Sequence, residues 1–521
     1  MRREFLILAL LLSLAAGALA YEAWHLGLTA DEPSHIAASY AWWVGADVLL
    51  PSDTPPLMRI ISGWVPRAMR IPFHRETELW RNRSAYEIGA TTISSLNPER
   101  AQRLIFFMRL PFTAFPLLIA FLLWRWGREL FGEPIGLTLA ACGILEPTIL
   151  GHGALIKSDV PAAFGALWFA YTAWRYWQRP CLRRLLVMTL ATLIATLTKF
   201  TLLPLLAVAL ALALWRGPRF AAATIIPLTF CVATLASYQF QAAPVSPMDV
   251  YKFSLAGVPS GLMPAVRALA YLPWPDQWVR GLLYIMASLH GAGFSGYMLG
   301  HKIAGAVPAY YPLAWGVKFP IPLQILSLAG LVALAQAIRQ RKAGAAEAFI
   351  WGSVALYFGS AVFSTFHIGF RHVLPALPFC ILGGGFALAR WGAGRAARAT
   401  SAAALVWLAA ASLHVYPQGI SYFNEWIGGP AHGWKYLADS NLDWGQNLPE
   451  LATFMEERRI PMVKTFLFGL DGPERHLKPG SWEAQPCPWG AGTVSERRLQ
   501  PQPGFYAVSV NSLTGLLAAA G

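Results

Sequence analysis

The composition of the 521-residue chain is typical of an integral membrane protein. Hydrophobic residues make up 56% of the chain and charged residues only 13%, whereas a soluble globular protein has about 25% charged residues. A formal net charge of +14 could indicate a nucleic-acid partner. Much of the excess Lys and Arg lies in short loops between apolar runs, however, where it reports orientation in a membrane. We therefore expect membrane lipid, and no nucleic acid, as a partner.

The chain begins with an apolar run that follows the sequence MRR and extends to Ala20. The sequence Ala18-Leu19-Ala20 is typical of a signal-peptide cleavage site. The alternative, which we favour, is an uncleaved first spanning helix. Both interpretations put the chain from residue 25 onward on the outer side of the membrane.

Ten further apolar runs predict spanning helices, because a helix needs about 20 mostly apolar residues to cross a bilayer. Basic residues cluster in every second loop between these runs. This alternation predicts an inside N-terminus and eleven spans. The runs after the first are 104–124, 134–152, 160–177, 185–200, 202–215, 220–238, 313–338, 346–366, 371–389 and 401–416.

This topology divides the chain into two predicted domains. The first is an all-α multi-span membrane module over residues 1–416, with long outer loops at 24–103 and 239–312. The second, residues 417–521, contains many polar, Pro and Gly residues. We expect it to form a small extracytoplasmic α/β domain.

Acidic residues beside spans are candidates for function, because an unpaired charge is costly in lipid. Asp31 and Glu32 follow the first span in the sequence TADEPSH. An acidic residue before Pro could also be a helix N-cap. Further along the same outer loop, Asp53 and Arg59 flank a Pro-Pro turn in the sequence DTPPLMR.

A second polar stretch, GHGALIKSD, lies between the third and fourth predicted spans and contains His152 and Asp159. Alone, His152 would more often be a structural histidine, and Asp159 could cap the helix that follows. Their predicted position on the same face as Asp31 favours a site.

The third group of candidates is basic. Lys199, Lys318 and the pair Arg371-His372 lie at the predicted outer ends of spans. Lysines at this depth often extend to the lipid headgroups. The alternative is a cationic cradle for a phosphate group, which Lys binds as a point charge and Arg as a bidentate fork.

Together these motifs resemble the GT-C membrane glycosyltransferases. The similarity is to the phospholipid-carrier-dependent group that includes protein O-mannosyltransferases and the lipid A aminoarabinose transferase. It is carried by Asp31-Glu32, the Pro-Pro-Leu turn, the His-Gly…Asp stretch and the sequence RHVLPALP from Arg371. The sequences YYPLAWGVKFP, YFNE and DSNLDWGQ resemble segments of bacterial members. The resemblance covers about residues 1–450.

The sequence departs from the group's pattern at three places. Asp53 stands where a basic residue or His nearer the prolines is expected, and Lys157-Ser158 stands where small residues or Thr are expected. His372 stands where Tyr is commoner. These departures leave the donor sugar and the acceptor open.

The resemblance implies an enzyme that transfers a hexosyl or pentosyl group from a polyprenyl-phosphate carrier to a protein, lipid or glycan acceptor. It implies an active site on the extracytoplasmic side of a bacterial inner membrane. A carboxylate in the first outer loop would act as the base, and the implied catalytic residues are Asp31, Glu32 and Asp159. The implied substrate-binding residues are Arg59, His152, Lys199, Lys318, Arg371 and His372. We expect no certain cofactor; the acidic residues could hold a divalent metal ion, although their spacing does not demand one.

The alternative function is a polytopic transporter or flippase of a lipid-linked or polar solute. Two patterns favour the transferase. The polar residues gather at one face rather than at the bilayer midplane, and no pair of broken helices marks an inverted repeat. A polysaccharide ligase or polymerase would differ from the transferase mainly in its donor.

Overall fold

The computed structural model of the chain describes residues 2–45, 54–75, 77–82, 84–241, 264, 273–290, 295–392, 394–485 and 502–516. Asp53 and much of the predicted outer loop 239–312 lie outside the described residues.

Helices lie at each of the eleven positions where the sequence predicts a span, so the prediction of a mostly helical membrane protein is confirmed. Apolar residues of most of these helices pack in one large buried cluster, and Leu8 and Ala15 of the first span belong to two smaller clusters. The bounds of the helices are Arg2–His25, Pro98–Arg109 with Leu110–Thr113 and Ala114–Phe131, Glu133–Ile144 with Pro147–Gly153, Asp159–Gln178, Leu182–Thr198, Phe200–Leu202 with Pro204–Arg216, Arg219–Ser237, Ile321–Arg339, Ala345–Val362, Phe370–Ala376 with Leu377–Trp391, and Arg395–Val415.

Among the described helices, six are long and apolar enough to cross a membrane. The number is seven if the bent pair Glu133–Ile144 and Pro147–Gly153 forms one span. Others are short, such as the 13-residue helix Pro204–Arg216. The chain is thus an integral membrane protein, and the count of eleven spans stays a prediction.

Two of the predicted spans are interrupted in the structure. The run 134–152 bends by 57° between Ile144 and Pro147. The run 313–338 is divided at Pro320 into the helices Tyr310–Lys318 and Ile321–Arg339. Proline causes both breaks, because it has no backbone N–H and forces the preceding residue out of the helical region.

The first outer loop folds into short helices above the first span. Its helix Glu32–Trp43 packs against Ala85–Ser94. The two approach so closely that a Cβ atom on Gly89 would lie 1.9 Å from the carbonyl oxygen of Pro33. Only glycine allows this contact, and the contact fixes the start of the helix Glu32–Trp43. The other outer elements are Leu57–Ser62, Trp64–Ala68, Glu78–Arg81, Asp276–His290 and the antiparallel strands Gly296–Met298 and His301–Ile303.

The end of the chain contains a small parallel sheet. Strand Val463–Phe466 is central, with Trp482–Ala484 on one side and Phe505–Val508 on the other. Helix Leu448–Glu457 precedes the sheet. The remaining elements are the 3-10 turns Gly419–Ser421, Glu425–Ile427, Pro430–Lys435, Asp439–Asn441 and Pro473–Arg475 and the helix Val510–Leu513.

The segment between the last span and this sheet, residues 419–446, packs onto the membrane module. The backbone N–H of Asn424 donates to the carbonyl of Val317 at 2.8 Å. Gly151 and Gly419 approach so closely that a Cβ on either residue would meet backbone atoms of the other segment. The segment therefore reaches residues of the predicted outer face.

Candidate active site

A cavity of about 130 Å³ lies beside the start of the first outer helix. Distant parts of the sequence meet there because several helices begin or end at this point. Five of the nine residues predicted for the site line it: Asp31, Asp159, Lys199, Arg371 and His372.

Asp31 precedes the helix Glu32–Trp43, but its carboxylate makes no capping hydrogen bond. Its Oδ2 lies 2.5 Å from Nζ of Lys157 and 3.6 Å from Nη2 of Arg371. The side chain remains 19% exposed. Burial raises the pKa of this carboxyl, but the charges of Lys157 and Arg371 outweigh burial and lower it to about 2. Asp31 is thus an ionised carboxylate at the cavity wall.

Asp159 is the first residue of the helix Asp159–Gln178, and Ser158 occupies the capping position. Its Oδ1 lies 2.6 Å from Nζ of Lys199, and its Oδ2 lies 3.3 Å from Nη1 of Arg371. The side chain is 1% exposed. Asp31 occupies the N-cap position of its helix but makes no capping hydrogen bond, and Asp159 lies one residue after the capping position. Lys199 is paired with Asp159, so its interpretation as a lysine that extends to the lipid headgroups was wrong.

Arg371 connects the two carboxylates. Its Nε donates to Oγ of Ser440 at 2.9 Å, and its guanidinium lies 4.2 Å above the ring of Trp444. Both partners belong to the segment 419–446. The segment therefore fixes the direction in which Arg371 points. The neighbouring His372 lines the cavity and packs edge-on against Phe366, with ring centroids 4.7 Å apart.

Lys157 is the main residue of the site that the sequence interpretation missed. Its Nζ contacts Asp31 and lies 3.1 Å from Nε2 of His35. The signal was present, because Lys157 is a cation beside a predicted span, in the same stretch as His152 and Asp159. An unpaired charge in lipid is as costly for a lysine as for an aspartate, so Lys157 is a candidate for the same reason as Asp159.

Glu32 was predicted as a catalytic carboxylate, but it does not line the cavity. Arg109 donates to it through Nε at 2.8 Å and Nη2 at 2.6 Å. The backbone N–H groups of Thr29 and Ile156 donate to it as well, as does the Thr29 hydroxyl. Both charged side chains are fully buried. With five hydrogen bonds, Glu32 holds the end of the first span in place and has no access to substrate.

Lys318, His152 and Arg59 are likewise not among the described residues that line the cavity. Nζ of Lys318 donates to the carbonyl groups of Ile420 and Asn441, which ties its helix to the segment 419–446. His152 is buried behind the ring of Trp444, with centroids 5.8 Å apart. Arg59 is buried in the helix Leu57–Ser62.

A second cavity, of about 400 Å³, adjoins the first. The two share five residues in their walls: Lys199, Thr201, Ile285, Phe366 and His372. The rest of its lining is mostly apolar and comes from spanning and outer helices: Phe200, Leu203, Pro204, Leu282, Met286, Tyr311, Tyr357, Ala361 and Pro375. A charged chamber and an apolar chamber thus meet at one lysine.

Among the described residues, no group of three or more His, Cys, Asp or Glu side chains is placed to hold a metal ion. The acidic residues of the cavity are instead paired with cations.

No protein-family model matches the chain, and no curated protein matches it. Solved structures that are similar include ArnT from Cupriavidus metallidurans bound to undecaprenyl phosphate. That protein is 14% identical with a TM-score of 0.48, over 86% of this chain and 72% of ArnT. The apo state of the same ArnT is 12% identical with a TM-score of 0.30, over 90% of this chain and 84% of ArnT. ArnT is an aminoarabinose transferase with the GT-C fold, the group that the sequence motifs resemble.

Proposed function

We propose that the chain is a membrane glycosyltransferase. It moves a sugar from a polyprenyl-phosphate carrier to an acceptor hydroxyl on the extracytoplasmic face of the membrane. The observation that carries the proposal is the cavity in which Asp31 stands beside Lys157 and Arg371, next to an apolar chamber.

The charged cavity and the adjoining apolar cavity suit a donor that has a charged phosphate head and an apolar prenyl tail. Lys199, Arg371 and Lys157 supply cations for the phosphate, and each charge-assisted contact is worth about 1.5–3 kcal/mol. The adjoining apolar chamber would take the first prenyl units, because burying hydrocarbon there removes it from water. Of the six residues predicted to bind substrate, we keep Lys199, Arg371 and His372 in this role.

In the proposed step the acceptor oxygen attacks the anomeric carbon and the bond from that carbon to the phosphate oxygen breaks. The electron pair leaves on the phosphate, where Arg371 and the lysines stabilise the charge. The acceptor proton passes to Asp31. A carboxyl with a pKa of about 2 is a weak base. Bound phosphate adds negative charge beside Lys157 and Arg371, however, which offsets the two cations that lower this pKa and makes Asp31 more basic.

Asp31 suits the role of base better than Asp159 does. The Asp31 side chain is 19% exposed, whereas that of Asp159 is 1% exposed and held by Lys199 and Arg371. An acceptor hydroxyl can therefore reach Asp31. Asp159 would orient the two cations towards the phosphate.

The proposal also includes the membrane in which the chain lies and the side of it on which the site opens. We place the site and residues 417–521 outside a bacterial inner membrane, as the alternating basic loops predict. A reporter that is active only in the cytoplasm should stay silent when fused after residue 521. Activity of that reporter would place the end of the chain inside.

The function is tested by comparing the lipid-linked sugars of three strains. One strain carries the wild-type chain, the second lacks the gene, and the third carries Asp31→Asn. Loss of transfer should deplete the modified acceptor and enrich the loaded polyprenyl-phosphate donor in both altered strains. Glu99→Gln, which changes an exposed carboxylate of the same outer loop, is the matched control and should resemble wild type.

Unchanged donor and acceptor pools in both altered strains would contradict the proposal. A transporter or flippase gives a different pattern, because its deletion would trap solute on the inner side without a chemical change. The accessibility of the accumulated lipid-linked sugar to a membrane-impermeant chemical reagent added from the outside distinguishes these outcomes.

A further inference from the structure

A cavity of about 450 Å³ lies between the segment 419–446 and the small sheet. It opens at the carboxyl ends of two parallel strands, Val463–Phe466 and Phe505–Val508. The residues that follow these strands, Leu467, Phe468, Ser509 and Val510, form part of its wall. Ligands of open parallel sheets bind outside the carboxyl ends of the strands. The volume is also in the range of about 300–1,000 Å³ found for small-molecule sites.

The lining combines aromatic and hydroxyl-binding groups. Trp434 is 40% exposed and lines the cavity, with Nζ of Lys435 5.8 Å from its ring centroid, and Leu451 and Phe468 add apolar surface. Asn447 precedes the helix Leu448–Glu457 without a side-chain capping bond, so its amide can serve a ligand. No Lys or Arg is among the described residues that line the cavity. This lining favours an uncharged polar ligand over an anion.

Asp443, the one carboxylate among the described residues of the wall, is held in a fixed direction. Oδ2 of Asp443 accepts from the hydroxyl of Ser509 at 2.6 Å and from the backbone N–H of Val510 at 2.8 Å. Its Oδ1 accepts from the backbone N–H of Gly445 at 3.1 Å. A carboxylate oxygen accepts two hydrogen bonds, so Oδ1 keeps capacity for a ligand hydroxyl.

We propose that this cavity is a saccharide-binding site that holds a glycan acceptor. A pyranose has a C–H face, which packs on an aromatic ring, and an equatorial rim of hydroxyl groups. Trp434 matches the face, and Asp443 and Asn447 match the rim. The acceptor role rests on the proposed function, while the saccharide site does not.

The segment 442–445 links this saccharide cavity to the transfer cavity. Leu442, Asp443 and Gly445 line the saccharide cavity, whereas the side chain of Trp444 packs on Arg371. Gly445 has φ of +91°, and a Cβ there would lie 2.8 Å from the carbonyl oxygen of Phe468. Glycine thus lets this stretch of backbone lie against the sheet loop while Trp444 contacts Arg371. The same four residues thus contact both the saccharide cavity and Arg371 of the transfer cavity, so an acceptor bound at the first lies next to the second.

The first test measures binding without donor. The full chain is prepared in a detergent that has no sugar headgroup, and saturation-transfer NMR is recorded with cellobiose or N,N′-diacetylchitobiose as the probe. We expect saturation of the pyranose protons by wild type and by Asp31→Asn. Trp434→Ala should weaken the probe's Kd by about tenfold, the loss of one packed ring. The matched control is Trp426→Ala, a more exposed tryptophan outside the cavity lining, which should bind as wild type does.

If Trp434→Ala does not fold, Asn447→Ala serves in its place, because that side chain makes no capping bond that the helix would lose. Equal saturation of the probe by wild type and the cavity variants, or no saturation by wild type, would overturn the saccharide site.

The second test addresses the acceptor role. Trp434→Ala should raise the acceptor KM by about tenfold and leave donor affinity unchanged. Saccharide binding with an unchanged acceptor KM would overturn the acceptor role alone. Saccharide binding by a chain that transfers no sugar would refute the proposed function and leave the site standing.

Discussion

Two neighbouring residues, Asp31 and Glu32, belong to two different buried charge clusters. Glu32 and Arg109 form a closed pair in which each carboxylate oxygen has several donors and both side chains are fully buried. Asp31 belongs to an open cluster with Lys157 and Arg371, in which one contact is 3.6 Å long and the carboxylate is part exposed.

The difference between these clusters lies in how completely the charges are satisfied. A closed pair has no capacity for a ligand, so its role is to fix the backbone around it. The open cluster keeps a partly exposed carboxylate and its cations at a cavity, where a phosphate or a hydroxyl can replace one partner. Sequence position and charge are nearly the same for Asp31 and Glu32; their partners decide which of them can take part in chemistry.

The largest expected effect is on catalysis by the open cluster. Asp31→Asn should lower transfer by about 10²–10⁴-fold, because a general base contributes that much. The variant should still express, insert and fold, with a loss of stability limited to the ion pairs of Asp31, and Glu99→Gln is the control for a carboxylate change in the same loop. Near-normal turnover in Asp31→Asn would assign the base to Asp159.

Breaking the closed pair should instead lower the stability of the fold. Arg109→Met leaves Glu32 buried without its cation, which should cost about 3–5 kcal/mol in the free energy of unfolding. Arg103→Met breaks the exposed pair with Glu99 and should cost about 0–1 kcal/mol. Thermal or denaturant unfolding in detergent measures both. Equal losses in the two variants would show that the buried pair is no more important for folding than the exposed one.

A third experiment tests whether the open cluster binds the donor phosphate. Arg371→Ala should weaken donor affinity by roughly ten- to hundredfold, and Arg371→Lys should recover only part because the planar fork is lost. Arg390→Ala, at the other end of the same span and exposed, is the matched control. Unchanged donor binding to a folded Arg371→Ala protein would assign the phosphate to the lysines of the cavity.

The smallest effect is on the pH dependence of stability. The pKa of Asp31 is about 2 in the fold against an ordinary 3.8, so its pairing stabilises the protein fully above pH 3.8. This contribution, on the order of 2 kcal/mol, is lost as the pH falls through 2. Unfolding measured at pH 5 and near pH 2 should differ less in Asp31→Asn than in wild type. An identical pH dependence in the two proteins would show that Asp31 is not held by Lys157 and Arg371.

Much of the fold follows from local chemistry along the chain. Apolar runs predict helices at all eleven positions, because a backbone in lipid must satisfy its own hydrogen bonds. Prolines were present at both breaks, and the breaks could have been predicted from Pro147 and Pro320. The boundaries were less predictable because packing at the outer ends, rather than hydropathy, decides where each helix stops.

The site was predictable only in part. The sequence nominated Asp31, Asp159, Lys199, Arg371 and His372, which the fold brings to one cavity. It also nominated Glu32, Lys318, His152 and Arg59, which lie elsewhere. The shared signal was a polar residue beside a span, and this signal does not distinguish a satisfied charge from an available one.

The sequence by itself determined that the chain enters a membrane, which runs are helical, and which costly polar residues need partners, since these follow from local composition. Only the tertiary structure decided which partner each residue has. Arg371 meets Asp31 across 340 positions and is fixed by Ser440 and Trp444 from a segment beyond the last span. Such pairings depend on how helices distant in sequence pack together, and this packing sets the distance and solvent access on which the energy of two charges depends.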